Sequence, residues 1–425
     1  MDNRNQIFQK IVYLIFCQAL NLFSLPLFAA DVLSLSEAEQ LAIKLDPITK
    51  SYVARSESFA EQAISDGQLP DPRLKLGAAN FPVDTFDREQ EPMTQLQVGI
   101  QQSFPPGNTL QYRRERTKAL SDIEQSRSFV RTLEVSRNVR IRFMELYYQS
   151  AAQRILEENR SLFSQLLNIT QRHYAAGRDN QHDVLRAQLE LSLIDNRILE
   201  TIQSRETAIA ELGKFIGQEN SVRPVQDEFP DLEAVPSFVI IKENLVHHPV
   251  IMIEDATLLA SDKKISEVEE QFKPTFNIDV TYGERTGTDF EGDSRPDLLS
   301  AMLLVDLPIF TDKRQDRRLA AAKKEKIALQ FMRTDKLLEL RSMAEREYAN
   351  WNRLNDRLQL FEQRTIADAK MNVDSTLSAY QNDVTDFTTL MRSYLTELET
   401  RLDMLRVRVE KAKVQSKLLY LTGEL

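Results

Sequence analysis

Four histidines, at 173, 182, 247 and 248, and a single cysteine, Cys17, are the whole supply of strong borderline or soft metal ligands in this 425-residue chain. A closed zinc site needs four converging ligands, and a catalytic triad needs a nucleophile held against a base; neither has the material here. His247 and His248 stand side by side before Pro249 and read as a solvated loop, because neighbouring side chains diverge on most backbones. His173 and His182 flank a turn, where an ordinary turn-flanking role outweighs the alternative of contact with a passing cation. Met252, Met302, Met332, Met343, Met371, Met391 and Met404 are scattered and suit gap filling, and Trp351 suits packing. No catalytic, cofactor, nucleotide or metal site is expected, so the chain is not read as an enzyme. The concentrated chemistry is acidic: Asp179 and Asp183 in one turn, Asp383 and Asp386 in another, with Arg178 beside the first pair. Repeated around a narrow opening, these carboxylates would favour cations on entry, and Arg178 would latch the opening by pairing with one of them. The plainer alternative for each aspartate is a helix cap. The basic runs Lys313-Arg314 with Asp316-Arg317-Arg318, and Lys323-Lys324-Glu325-Lys326, read most simply as solvated helix surface or, close to a membrane, as contacts for lipid head groups or lipopolysaccharide.

The elements that position these residues are set by what the chain lacks. Glycine numbers 11 and proline 15, both scarce for this length, which points to long helices. A net charge of −10 argues against a surface that grips phosphate backbones, so no nucleic-acid partner is expected. At the N-terminus, Arg4 and Lys10 precede an apolar stretch from Ile11 to Phe28 and the small pair Ala29-Ala30, so residues 1–30 read as a secretory signal peptide. Its removal would leave a mature chain without cysteine. No later apolar run reaches the 18 residues a transmembrane helix needs.

The prolines leave two breaker-free stretches, 107–223 and 309–425, of 117 residues each. They belong to an internal repeat. Pro47 and Pro72 match Pro249 and Pro274 at an offset of 202, Arg113-Arg114 match Arg317-Arg318 at 204, and Tyr174 and Gly217 match Tyr380 and Gly423 at 206. Within each copy the hydrophobic period switches. Leu74, Leu76 and Ala78, then Leu96, Val98 and Ile100, alternate with polar or small residues, as do Phe276, Ile278, Val280 and Tyr282; Leu298 to Leu307 is more continuously apolar. Each copy therefore offers two strands long enough, when tilted, to cross a bilayer. Leu96, Val98, Ile100, Phe276, Ile278 and Val280 would face lipid. The long stretches instead show 3.5-residue spacing. Met391, Leu395, Leu398, Leu402, Leu405, Val409, Ala412 and Leu419 form one seam with Ser416 its polar gap, and Val184, Ala187, Leu191, Ile194 and Ile198 form another. Arg114 to Tyr174 alone would make a helix about 90 Å long. Turns at Tyr174 to Leu185 and Tyr380 to Met391 fold each stretch into a helical hairpin.

Two hairpins of strands cannot bury their edges separately in a membrane, and four strands from each of three chains would close a 12-stranded barrel. The sequence resembles the bacterial outer-membrane efflux factors, the TolC-type family. The resemblance rests on the duplicated helix, strand, strand, long helix, helix unit, on Tyr174-x-x-Gly177-x5-Asp183-Val184-Leu185-x-Ala187-Gln188, and on Leu421-Thr422-Gly423. Gly67 to Gly77, Asn80-Phe-Pro-Val83, Pro92-Met93-Thr94 and Gln101 to Pro105 are similar to the branch serving heavy-metal RND cation pumps. The resemblance implies a mainly α fold with a membrane β-barrel part. The first repeat would span 31–223 (strand hairpin 73–104, helical hairpin 107–217), a linker 224–247, and the second repeat 248–425 (275–308 and 312–423). It further implies a homotrimer in outer-membrane lipid of a Gram-negative bacterium, with a long periplasmic extension docking on a periplasmic adaptor (membrane fusion protein) and an inner-membrane RND pump. Tyr174, Gly177, Arg178, Asp179, Asp183, Val184, Leu185, Tyr380, Asp383 and Asp386 would form its periplasmic tip and gate. The second turn departs from the pattern: Asp383 stands where a glycine is expected, Thr389 where an acid is, and Arg392 where another acid often occurs. The alternatives are a duct for organic compounds, a periplasmic helical-hairpin adaptor, which normally has one hairpin per chain, and a structural coiled coil, which the period-2 segments disfavour.

Overall fold

The structure is a computed structural model that describes residues 32–177 and 180–424. The signal peptide expected at 1–30, and Arg178 and Asp179 of the first turn, lie outside the described residues. In chain order the elements are α1 (Leu35–Leu45), α2 (Pro47–Asp66), β1 (Arg73–Ala79), β2 (Gln95–Phe104), α3 (Thr109–Ala175), α4 (Gln181–Ile216), α5 (Gln218–Ser221), α6 (Phe238–Asn244), α7 (Pro249–Glu270), β3 (Thr275–Glu284), β4 (Leu298–Asp306), α8 (Gln315–Leu360), a π turn (Phe361–Thr365), α9 (Ile366–Gln381) and α10 (Phe387–Thr422). Among the described residues no helix is long and apolar enough to cross a membrane. The residues gather into two compact units, each drawing on both repeats.

One unit comprises residues 46–137, 233–353 and 414–425 and holds the sheet. Its strands are antiparallel in the order β1-β2-β3-β4, so the two hairpins join through β2 and β3. The register pairs Leu76 with Val98, Ile100 with Val280, and Ile278 with Leu303, placing the apolar alternates on one face. Lys75, Gln97, Gln101, Asn277, Asp279, Thr281 and Ser300 occupy the other, together with the apolar Met302 and Leu304 of β4, and there Lys75 reaches across β2 to Asp279 at 2.5 Å. Gly99 makes the tight β2–β3 pairing possible: a Cβ there would lie 2.5 Å from Thr281 Oγ1 and 2.8 Å from the Val280 carbonyl oxygen.

The helices of this unit start on matched caps. Asp46 accepts the Thr49 N–H at 2.7 Å with Pro47 opening α2; His248 Nδ1 accepts the Val250 N–H at 3.3 Å with Pro249 opening α7. Both prolines sit where their missing N–H is no loss. Here the structure corrects the reading of His248 as a solvated loop residue: His247 is exposed, but His248 is buried and its Nε2 lies 3.0 Å from the Tyr420 carbonyl oxygen of α10. Paired helices are then locked by short polar contacts. Ser56 and Ser121 exchange hydroxyl-to-carbonyl bonds of 3.0 and 2.7 Å between α2 and α3. Glu267 of α7 is held by Arg113 and Arg116 of α3 at 2.7 and 3.0 Å. Asp255, Asp262 and Glu269, one heptad apart on α7, meet Arg333, Lys326 and Lys323 of α8. Lys323 and Lys326 are therefore paired across helices as well as solvated. Such exposed pairs contribute little each and act mainly by fixing register.

The other unit comprises residues up to 45, 138–232 and 354–413. Phe143, Met144, Phe163, Ile194, Leu212 and Leu398 are buried in it. Arg223 grips Glu37 through both terminal guanidinium nitrogens, Nη1 and Nη2, at 2.7 and 3.0 Å, tying the segment after α5 to α1. Residues 224–232 form a strap: the Tyr147 hydroxyl donates to the Asp227 carbonyl, Phe229 meets Tyr147 edge-on at 5.4 Å, and Arg408 lies 4.4 Å over the Phe229 ring. The π turn has no proline or glycine to announce it; the Thr365 hydroxyl bonds the Leu360 carbonyl five residues back, matching the wider turn.

Candidate functional site

Two surfaces hold the residues singled out by the sequence: the helical turns in the second unit described, and the sheet in the first.

The two turns share one backbone design built from different residues. At the first, the Gly177 N–H donates to the Tyr174 carbonyl at 2.9 Å with φ +73°. At the second, Asp383 takes that left-handed conformation, with φ +56° and its N–H on the Tyr380 carbonyl at 3.1 Å. Glycine adopts this geometry without strain, and aspartate is among the few other residues that tolerate it. The following helices begin at Asn180 and Asp386, again 206 residues apart. Asp183 reaches back to accept the Asn180 N–H at 3.3 Å, and Asp386 accepts the Thr389 N–H at 2.7 Å. That N–H is the main reason the Asp386 carboxyl lies below the ordinary aspartate value. Asp183 and Asp386 thus serve as helix caps, Asp183 partly buried and Asp386 exposed, whereas Asp383 is exposed and serves through its backbone.

Behind the turns, α3, α4, α9 and α10 share a core of Phe163, Leu166, Ala187, Ile194, Val373, Phe387, Leu390, Met391 and Tyr394. Tyr380 joins it with its ring 6.1 Å from Phe387 and stacked on His173 at 6.4 Å. The stacking gives His173 a packing role beside Tyr380. A groove of about 340 Å³ opens there, lined by Leu166, Ile169, His173, Leu377, Tyr380 and Asp383 among others. Val184 is half-buried; Tyr174, Leu185 and Val384 are 47%, 57% and 77% exposed, leaving apolar side chains at the turns. Among the described residues no cluster of three or more histidines, cysteines or carboxylates stands ready for a metal ion.

On the sheet, Leu96, Val98, Ile100, Phe276, Ile278 and Val280 lie together on the apolar face, each 39–58% exposed. That face is contiguous with Leu74, Leu76, Leu299 and Leu303, at 61–77% exposure. A soluble domain would cover so large an apolar surface. Among the described residues β1 and β4 each leave one edge without a partner strand, a second unmet requirement. The strand-connecting loops are tied together by arginines that sequence reasoning left unassigned. Arg285 donates to the Pro92 and Pro296 carbonyls, Arg295 to those of Glu89 and Thr286, and Arg88 pairs with Glu284. Two arginines near the ends of an acidic loop were the available signal, but each bonds one main-chain oxygen of its own loop and one of the other loop.

No protein-family model and no curated protein matches this sequence. Solved structures do match. CusC, whose study concerns folding and transmembrane channel formation, superposes with a TM-score of 0.77 at 14% identity over 92% of each chain. The outer-membrane protein VceC of Vibrio cholerae gives 0.75 at 16% identity over 92% of this chain and 96% of its own. The outer-membrane channel MtrE of Neisseria gonorrhoeae, in its open state, gives 0.68 at 16% over 92% and 88%. The chain has the fold of these outer-membrane channels.

Proposed function

We propose that this chain is one protomer of a trimeric outer-membrane channel-tunnel, the exit duct of a tripartite efflux pump. The observation that carries the reading is the four-stranded sheet: one face is apolar and exposed, the other is polar on β1 to β3, and among the described residues neither edge has a partner strand. Three copies closing edge to edge would satisfy every strand and give a 12-stranded barrel with lipid outside and a polar lumen. The fold shared with outer-membrane channels supports the same reading. Long helical hairpins would extend the duct into the periplasm, with the turns at 174–185 and 380–391 forming a mouth that meets an adaptor and an RND pump. Both strand hairpins lie in a single sheet, which disfavours the adaptor alternative. The pore would act by passage, with no reaction on the cargo.

Mass measurement in detergent and planar-bilayer conductance test the duct. A trimer that conducts is expected; a conducting monomer or dimer would refute the closure. For cargo we favour heavy-metal cations, on the residues at 67–77, 80–83, 92–94 and 101–105. Deleting the protein should then sensitise cells to soft cations more than to dyes or detergents. Loss of tolerance to organic compounds alone would remove the metal assignment and leave the duct.

A further inference from the structure

The two ends of the sheet carry opposite charge. The strand-connecting loops, 83–92 and 284–297, hold nine carboxylates and three arginines. At the helix end, residues 307–326 hold seven basic residues and three acidic ones, in a chain whose net charge is −10. The basic segment opens with apolar side chains. Leu307, Ile309 and Phe310 are 62%, 70% and 81% exposed and continue the apolar face of β4 beyond the strand. Three residues later come Lys313 and Arg314, exposed and making no ion pair or side-chain hydrogen bond among the described residues. Of the other basic groups, Arg317 donates to the Asp312 carbonyl, Arg318 to Gln271, and Lys323 and Lys326 face acids on α7; Lys324 is also without a partner among the described residues, but it stands ten residues beyond Arg314, on α8. The turn between the apolar and basic groups is fixed, because the Arg314 and Asp316 N–H groups both donate to the Thr311 carbonyl at 2.9 and 3.1 Å. The first repeat has no counterpart. At the same offset of 204, Pro105, Pro106, Thr109 and Leu110 stand at these positions, and Arg113 and Arg116 are bound to Glu267.

We propose that Leu307, Ile309, Phe310, Lys313 and Arg314 form a collar that binds the head groups of anionic phospholipids in the leaflet on the helix side of the sheet. The inference rests on the outer-membrane channel reading. The apolar residues extend a surface already suited to acyl chains, and the two free cations sit where phosphates begin. An aromatic side chain beside basic ones at a strand end is the arrangement that a membrane boundary rewards. A protein partner is less well matched, since exposed phenylalanine and isoleucine here are continuous with the lipid-facing strands.

Reconstitution into nanodiscs of phosphatidylcholine, with and without phosphatidylglycerol, followed by native mass spectrometry of retained lipid, tests it. Each free basic side chain should favour the anionic lipid about fivefold, so the pair gives roughly 25-fold retention over phosphatidylcholine at low salt. The preference should fall toward parity at about 0.5 M NaCl, where exposed charges are screened. Lys313→Gln with Arg314→Gln should abolish it, and Lys323→Gln with Lys324→Gln should keep it. Parity in the unaltered protein, a preference unaffected by salt, or one retained in the 313/314 variant overturns the collar while the channel stands. Failure to enter phosphatidylcholine nanodiscs at all would overturn the channel reading itself.

Discussion

A lysine placed at Val98 separates a lipid-facing sheet from a sheet that merely exposes apolar residues. Val98 lies at the centre of the apolar run Leu96, Val98, Ile100, opposite Leu76 on one neighbour and Tyr282 on the other. β2 has ten residues; at about 3.4 Å per residue and a tilt near 45°, it spans roughly 24 Å along the bilayer normal, the height of an outer-membrane apolar band. Val98 is one and a half residues from the strand's midpoint, only about 4 Å from mid-depth on the same geometry. A lysine there should cost about 2–4 kcal/mol per chain. Gln97, one residue away, pairs with Gly77 and Gly283 on the polar face, so a lysine there has room and water, and the cost should stay below about 1 kcal/mol. Reversible unfolding by guanidinium from phosphatidylcholine vesicles measures both. Equal costs at the two positions, or a larger cost at Gln97, would refute the assignment of faces and with it the barrel.

Three further outcomes follow from the same contacts. Gly99→Ala should lower unfolding stability by about 1–3 kcal/mol in the same assay, because two of the clashing groups are main-chain atoms of β3 that cannot rotate away. His248 should make stability fall as pH drops below its ordinary value of 6.5: burial is the leading cause of its lowered pKa, the folded chain holds it neutral, and the unfolded chain takes up the proton first. Thermal melts of the protein against His248→Asn should show that loss from pH 7 to 5 only with the histidine present. Asp383→Gly should stabilise the second turn by up to about 1 kcal/mol, whereas Asp383→Val should destabilise it by at least as much; hydrogen exchange at Val384 and Leu390 reports both.

Much of this fold is written in local pattern. The strands carry period-2 alternation and the helices a 3.5-residue repeat, and both turns are marked by the residues that end and begin helices. Leu398, Val409, Ala412 and Leu419 are buried as the seam requires, and Ser416, its polar gap, is buried too. What the pattern does not hold is partnership over distance. His248 is buried by a helix turn 172 residues later, and Arg285 and Arg295 satisfy carbonyls 193 and 206 residues away. Neither residue type nor spacing near these positions reveals such partners. The aspartates of the turns were visible as candidates, but a cap and an entry ring use the same residue at the same place, and only the bonds to Asn180 and Thr389 show that capping engages Asp183 and Asp386.

The duplication shows which demands the fold makes on its residues. Asp46 and His248 cap the same helix position, Asn180 and Asp386 open the same returning helix, Gly177 and Asp383 hold the same left-handed turn, and Gly217 and Gly423 both have positive φ. In each pair the backbone geometry is kept, while side-chain identity changes in all but the last. The consequence is electrostatic asymmetry on a symmetric frame. Burial would raise the Asp46 carboxyl, but Arg131 at 2.8 Å and the Thr49 N–H outweigh it and hold it below its ordinary 3.8. The stability it contributes is therefore kept down to that range and lost only as pH falls further. His248 begins to lose its contribution near neutrality, so the second repeat's helix entry should loosen at a pH where the first repeat's is intact. The frame itself is common to both copies, and the cap that holds it is an acid in one and a neutral imidazole in the other.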